Sequence, residues 1–346
     1  MLKLSLDKLY EFFNRLSEKE TLYIPSDGAD NAARFTRYSD GVKLSNALNT
    51  VRSAKDFFFP QTENLVDFKV EGSNIEVIDP RTENEDFVIF GVRACDARSF
   101  GILDKVFLHQ EPVDSYYKNR REHATVIALA CTTPTETCFC KTFGIDPTNP
   151  DGADINAWKL DDSIVFKAVT DKGSKLLDSM SDMLSDASDS DSISVEAQRN
   201  KTNEIYSKLP LHSLTTEHFD GRSMKETFSD EKWAELSESC LGCGTCTFVC
   251  PTCQCYDIRD FDTGHGIKRF RCWDSCMYSD FTKMAGGQPR LSQLERFRQR
   301  FMHKLIYFPM NNDGEYGCVG CGRCLAKCPI HMNIVKVMKK LGEDNK

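Results

Sequence analysis

Apolar side chains at Leu6, Leu9, Phe12, Phe13 and Leu16 recur at helical steps, predicting an amphipathic helix, and Thr21-Leu-Tyr-Ile-Pro25 predicts a short strand after it. From Arg34 to Lys69 the pattern is mixed; Phe57-Phe58-Phe59-Pro60 reads as core packing before a turn. Two continuous apolar runs, Phe87 to Val92 and Thr125 to Ala130, read as buried strands, with helical spacing from Ala97 to Phe107 between them. Together they predict a βαβ unit with parallel strands. Asp146 to Gly152 is turn-rich, and Ile164 to Val169 reads as a further strand. Leu177 to Ser194 is rich in Ser and Asp, helical only around Leu177, Met180 and Leu184, and otherwise expected as solvated surface where a linker begins. Beyond it, Trp233, Leu236 and the segments after Pro251 and Pro329 read as helical. Leu294 to Phe308 reads as a basic amphipathic helix carrying Arg296, Arg298, Arg300, His303 and Lys304, either a solvated face or a docking surface for an acidic partner. The expected architecture is an α/β domain with a parallel sheet over 1–195, followed by a helical domain over 196–346.

A length of 346 residues allows two or three domains, and a net charge of −8 argues against nucleic acid, which asks for a basic surface. No apolar run approaches a membrane span, and the N-terminal residues lack a signal peptide's apolar core, so a soluble cytoplasmic protein is expected. In such a reducing compartment, 16 cysteines point to metal ligation or redox work.

Eight of them form two runs, Cys240-Leu-Gly-Cys243-Gly-Thr-Cys246-Thr-Phe-Val-Cys250-Pro251 and Cys318-Val-Gly-Cys321-Gly-Arg-Cys324-Leu-Ala-Lys-Cys328-Pro329. Each spells C-x2-C-x2-C-x3-C-P, the spacing that wraps a [4Fe–4S] cube with three thiolates and sends the fourth to a neighbouring cube. Crossed ligation then gives Cys240, Cys243, Cys246 and Cys328 to one cluster, and Cys318, Cys321, Cys324 and Cys250 to the other. Gly242, Gly244, Gly320 and Gly322 suit loops that close tightly, with positive φ where needed. The competing reading is structural zinc, which needs two pairs and has no use for a repeated four-thiol run ending in proline. The long insertion between the runs argues against a compact two-cluster ferredoxin and for an α-helical ferredoxin-like arrangement.

Cys95 follows the first buried strand and Cys131 ends the second, with Cys138-Phe139-Cys140 close behind. Ligands of open α/β sheets collect beyond the carboxyl ends of the strands, so these cysteines are read as ligands of a third [4Fe–4S] cluster. Buried packing thiols or a zinc site are the alternatives. Arg93 and Asp96 flank the site and either tune its charge or pair with each other. Within the insertion, Cys253, Cys255 and Cys276 are candidates for a further metal site, with Cys272 nearby; thiols packed around the neighbouring clusters are the competing reading. His265, His303 and His331 have no partner readable from the sequence.

Gly91-Val-Arg-Ala-Cys95-Asp96, Cys131 through Cys138-Phe-Cys140, Cys250-Pro-Thr-Cys253-Gln-Cys255, Trp273-Asp-Ser-Cys276, Ala285-Gly-Gly-Gln-Pro-Arg290 and Cys318-Val-Gly-Cys-Gly-Arg-Cys324 resemble the family of anaerobic sulfite reductase dicluster subunits and sulfhydrogenase beta-subunits. The likeness runs from about Phe87 onward; Cys272 stands where that family is expected to have another residue. The resemblance implies a non-catalytic electron-transfer subunit of an anaerobic multisubunit oxidoreductase, of sulfite reductase, hydrogenase or transhydrogenase type. Its expected partners are an NAD(P)H-linked flavoprotein carrying FAD or FMN, a further redox or catalytic subunit, and ferredoxin. No G-x-G-x-x-G or G-x-x-x-x-G-K-[ST] loop is present, so no nicotinamide reaction is expected in this chain and no residue is read as catalytic. Two other classes remain open at this level: a reductase acting on a small substrate such as a disulfide at the N-terminal cysteines, and a cluster-based redox sensor.

Overall fold

The computed structural model describes residues 1–81, 85–219 and 223–343. Its strands, in chain order, are β1 Leu2–Ser5, β2 Thr21–Asp27, β3 Ala33–Arg37, β4 Thr62–Glu71, β5 Asn74–Ile78, β6 Phe87–Val92, β7 Ala124–Leu129, β8 Ile155–Lys159, β9 Ser163–Ala168, β10 Ser185–Asp186, β11 Tyr256–Asp262 and β12 Gly266–Trp273. Two compact units result. The first comprises Met1–Ala54, Glu85–Thr215 and the short segment Val319–Gly322; the second comprises Lys55–Asn84, Thr216–Cys318 and Arg323–Lys346.

The first unit is built on one sheet in the order β10-β1-β9-β8-β7-β6-β2-β3. Strands β2, β6, β7 and β8 run parallel, while β9, β1, β10 and β3 add antiparallel neighbours, so the sheet is mixed rather than wholly parallel. Every position of β7 is buried, as a strand covered on both faces requires. The helix Ala94–Phe107 lies in the crossover from β6 to β7, completing the expected βαβ unit. On the helix Leu9–Lys19 the apolar stripe Leu9, Phe12, Phe13 and Leu16 is buried; Phe12 stacks on Phe166 at 5.8 Å and Phe13 meets Phe90 edge-on at 5.0 Å. Each ring contributes about 2 kcal/mol through removal of its apolar surface from water. The Ser- and Asp-rich stretch is not plain surface: a helix occupies Asp189–Ser207, opened by a reciprocal cap between Ser188 and Asp191. Its few inward residues, among them Val195, Thr202 and Tyr206, are spread too thinly for an apolar stripe to announce it.

In the second unit β11, β12, β4 and β5 form an antiparallel sheet. The segment following Pro251 is therefore a hairpin and not the expected helix. Only Tyr256-Asp-Ile-Arg alternates with a period of two before Phe261 breaks the phase, and Gly264 and Gly266 turn the chain at φ 78° and 151°. At Gly266 a Cβ would lie 2.3 Å from the Phe68 carbonyl oxygen, so β12 can approach β4 only without one. Helices flank the sheet's partner segments: Lys232–Glu238, Gln293–Met302 continued by a wider turn through Tyr307, and Ile334–Leu341. Trp233 packs edge-on against Phe297 at 6.3 Å between the first two. Among the described residues no helix is long and apolar enough to cross a membrane.

Candidate iron–sulfur centres

The two cysteine runs adopt the same local conformation. In each, the glycines on either side of the second cysteine are left-handed: Gly242 and Gly244 at φ 65° and 72°, Gly320 and Gly322 at 59° and 78°. A short helix then carries the third cysteine, over Thr245–Phe248 in one run and Arg323–Lys327 in the other. The loops are also closely backed. A Cβ on Gly242 would meet the Gln293 side chain at 2.9 Å, and one on Gly320 the Phe139 carbonyl oxygen at 2.4 Å. Such cradles, with four thiols per run, fit cubane clusters.

Polar groups reach these sulfurs. Gln293 Nε2 donates to Cys240 Sγ at 3.6 Å, and Cys243 Sγ lies 3.4 Å from Thr245 Oγ1, a contact that lowers the Cys243 pKa. Burial pushes the Cys246 thiol up. Cys328 Sγ is 3.1 Å from the Met332 carbonyl, and Cys250 Sγ is 3.3 Å from Thr252 Oγ1. Tyr278 donates its hydroxyl to the Cys243 carbonyl at 3.2 Å.

Three cations that the sequence did not single out as inward-facing are buried in the second unit. Arg300, Lys304 and Lys55 are only 3%, 5% and 2% exposed. Arg300 Nη1 lies 3.7 Å from Cys253 Sγ and Nη2 donates to the Cys246 carbonyl at 3.1 Å, while its Nε has no hydrogen-bond partner among the described residues. Lys304 Nζ donates to Thr252 Oγ1 at 2.7 Å and to the Gly317 carbonyl at 2.8 Å. Lys55 donates to the Cys253 carbonyl at 3.0 Å and sits 3.6 Å above the Trp273 ring. Arg300 and Lys304 belong to the segment expected as a solvated or docking face. Burial alone would lower both pKa values, yet the thiolates around them raise both above the ordinary range. Buried cations without such negative charge would be strongly destabilising. The signal available in sequence was their placement on the apolar side of the helix, next to Phe297, Phe301 and Leu305.

Cys253, Cys255 and Cys276 are brought near one another. Cys255 and Cys276 are hydrogen-bonded through sulfur, which brings the Cys255 pKa down to about 7 and raises that of Cys276; Cys253 pairs likewise with Cys250. Cys272 stands apart on β12, where its charged neighbours are Arg259, Asp257 and Asp274. His303, half-buried beside this group, has its pKa lowered to about 4 by burial and by Lys304, Arg290 and Arg300.

In the first unit, Cys95 sits in the first turn of the helix that follows β6, and Cys131 lies just past β7. Cys95, Cys138 and Cys140 are buried. Burial raises the Cys131 thiol to about 11 and pushes Cys140 higher still, with the neighbouring thiols adding to both. Thr135 donates its amide to Cys138 Sγ at 3.4 Å. Arg93 bonds four backbone carbonyls, those of Ala47, Leu48, Leu129 and Ala130, and so ties the ends of this edge together. Against this loop lies part of the second cysteine run: Phe139 donates its amide to the Gly320 carbonyl at 3.0 Å, and Asn49 donates to the Cys321 carbonyl at 3.3 Å. A cavity of about 750 Å³ opens at the other end of β7, where Asp104, Arg121 and Lys172 line it, away from these thiols. Among the described residues no three Cys, His, Asp or Glu side chains are gathered closely enough to share one metal ion. Thiolates around a cubane stand farther apart than around zinc, because a metal–sulfide core lies between them.

Paired thiol runs of this geometry define an iron–sulfur protein of the electron-transfer class. Residues 239–332 match the 4Fe-4S dicluster domain family. The chain is 33% identical over 344 residues to sulfhydrogenase 2 subunit beta of Pyrococcus furiosus, an alignment spanning 99% of this chain and 98% of that protein. No solved structure matches it. The chain belongs to the sulfhydrogenase beta-subunit family, iron–sulfur oxidoreductase subunits with a two-cluster domain.

Proposed function

We propose that the chain relays single electrons between an NAD(P)H-linked flavoprotein and another redox subunit of an oxidoreductase complex. Crossed ligation supplies the dicluster sites, Cys240, Cys243, Cys246 and Cys328 for one, Cys318, Cys321, Cys324 and Cys250 for the other. Cys95, Cys131, Cys138 and Cys140 hold a third cubane in the α/β unit. Bound cubanes supply reversible one-electron storage; FAD or FMN on the partner divides the hydride pair. The protein's own part is to exclude water, hold the thiolates and set local charge.

The observation that carries this reading is the bond from Phe139 to Gly320. Phe139 lies between Cys138 and Cys140, and Gly320 precedes Cys321, so ligands of the third site and of one dicluster site are joined by a single hydrogen bond. Relays need neighbouring centres of this kind. The test is iron and acid-labile sulfide on anaerobically prepared protein, wild type beside Cys95→Ser and Cys131→Ser. Each variant is expected to lose about four iron per chain while the dicluster signals persist on reduction. Unchanged iron in both would remove the third centre from the relay.

A further inference from the structure

We propose that Cys253, Cys255 and Cys276 hold an additional [4Fe–4S] cluster in the second unit, bound by three thiolates, with its fourth iron facing a cavity. The proposal adds to the dicluster reading and stands on a separate set of thiols.

Three observations carry it. The thiols converge from two places in the chain: Cys253 and Cys255 directly after the first run, Cys276 beyond β12. Cys255 and Cys276 line a cavity of about 310 Å³ together with Gln254, Arg290, Gln299 and His303. Its lining thus combines two thiols with four nitrogen-bearing side chains, beside the rings of Tyr256 and Phe281.

The second observation is charge. Arg300 and Lys304 are buried among Cys253 and the dicluster thiols Cys246, Cys250 and Cys318, so their positive charge faces this site as well as those, and Lys304 donates to a hydroxyl and a carbonyl. Arg300 points Nη1 at Cys253 Sγ and leaves Nε without a partner among the described residues. Cationic side chains are kept in an interior when an anion of matching charge lies beside them, and a thiolate-ligated cluster is such an anion.

The third is the exclusion of simpler occupants. Cys250 is committed by its place before Pro251 to a dicluster site, which leaves three thiols and not four. Among the described residues no three such donors lie close enough for one metal ion, so a mononuclear zinc centre is not built here. A cubane with three thiolates has one iron without a cysteine, and the cavity gives that iron access to a small ligand or to water.

The test uses the full chain, reconstituted with iron and sulfide under anaerobic conditions. Wild type is compared with Cys255→Ser, Cys276→Ser and, as a control on β12, Cys272→Ser. The first two are expected to lose about four iron per chain, and Cys272→Ser none. Mild oxidation with ferricyanide, which takes one electron and releases the iron lacking a thiolate, is expected to give a three-iron electron paramagnetic resonance signal in wild type and in Cys272→Ser only. Equal iron in wild type and both cavity variants, or a Cys255–Cys276 disulfide in iron-loaded protein, would overturn the proposal. Cys240→Ser and Cys318→Ser run in parallel: iron loss in them without loss in the cavity variants leaves the dicluster reading standing, whereas no loss in them defeats that reading separately.

Discussion

Gly320 stands just before the second cysteine of its run and Gly244 just after that of the other, both left-handed, yet substitution should not treat them alike. A Cβ on Gly320 would lie 2.4 Å from the Phe139 carbonyl oxygen and 2.7 Å from Cys140 Cα, both backbone atoms that cannot step aside. On Gly244 it would meet the Tyr278 hydroxyl at 2.7 Å, the far end of a side chain able to rotate away. Both positions also carry the left-handed strain of about 1–2 kcal/mol for a residue with a Cβ. Gly320→Ala is therefore expected to lose about four iron per chain and Gly244→Ala to retain most of its iron with a modestly lower melting temperature. Parallel iron analysis and thermal melts check the ranking; equal losses would mean that close backing by Phe139 does not matter. Arg300 invites a second test at this scale. Its positive charge favours the reduced, more negative state of any cluster beside it, so Arg300→Gln should lower the potential by an amount on the order of tens of millivolts. Spectroscopic redox titration of both proteins measures it, and an unshifted or raised potential would show that the guanidinium does not act on the centres.

The helix Asp189–Ser207 is held at its start by charge. Asp191 accepts from Ser188 and from Lys3 Nζ at 2.7 Å, and Lys3 followed by Ser188 brings its carboxyl pKa from the ordinary 3.8 to about 2. A carboxylate with a depressed folded pKa stabilises the fold above its unfolded value and loses that contribution as pH falls through the folded one. Stability of the first unit should therefore drop between about pH 4 and pH 2, and Asp191→Asn should flatten this part of the profile while lowering stability near neutrality. Denaturant midpoints against pH for the two proteins settle the matter. The same helix shows what sequence could deliver and what it could not. Leu9–Lys19, β6, β7 and the crossover between them were legible because an apolar stripe or run marks each. The dicluster cysteines were legible because their spacing is covalent information. Asp189–Ser207 was hidden by its sparse inward face, and the β11–β12 hairpin by the helices expected after each proline. The pairing of β12 with β4 joins residues some 200 positions apart, and no local period records such a partner. For the same reason Lys55 gave no hint that it lies against Cys253.

At the scale of the whole molecule, the question is where electron pairs are divided. Nicotinamides give up hydride, two electrons at once, whereas cubanes accept one. The chain has no glycine-rich dinucleotide loop, and its residues 239–332 match a 4Fe-4S dicluster domain, a module that stores and passes single electrons. A flavin, the group proposed for a partner subunit, can take the pair and release it singly. The isolated, cluster-loaded chain should therefore keep its visible absorption when NADH or NADPH is added under anaerobic conditions, yet bleach promptly with dithionite, an outer-sphere one-electron reductant. Adding a co-purified flavoprotein subunit should make the nicotinamide bleach it too, at a rate that rises with the flavoprotein concentration. Stopped-flow absorbance follows all three cases. Rapid bleaching of the isolated chain by a nicotinamide would place hydride chemistry inside it and defeat the relay, because the protein would then need no partner to split the pair.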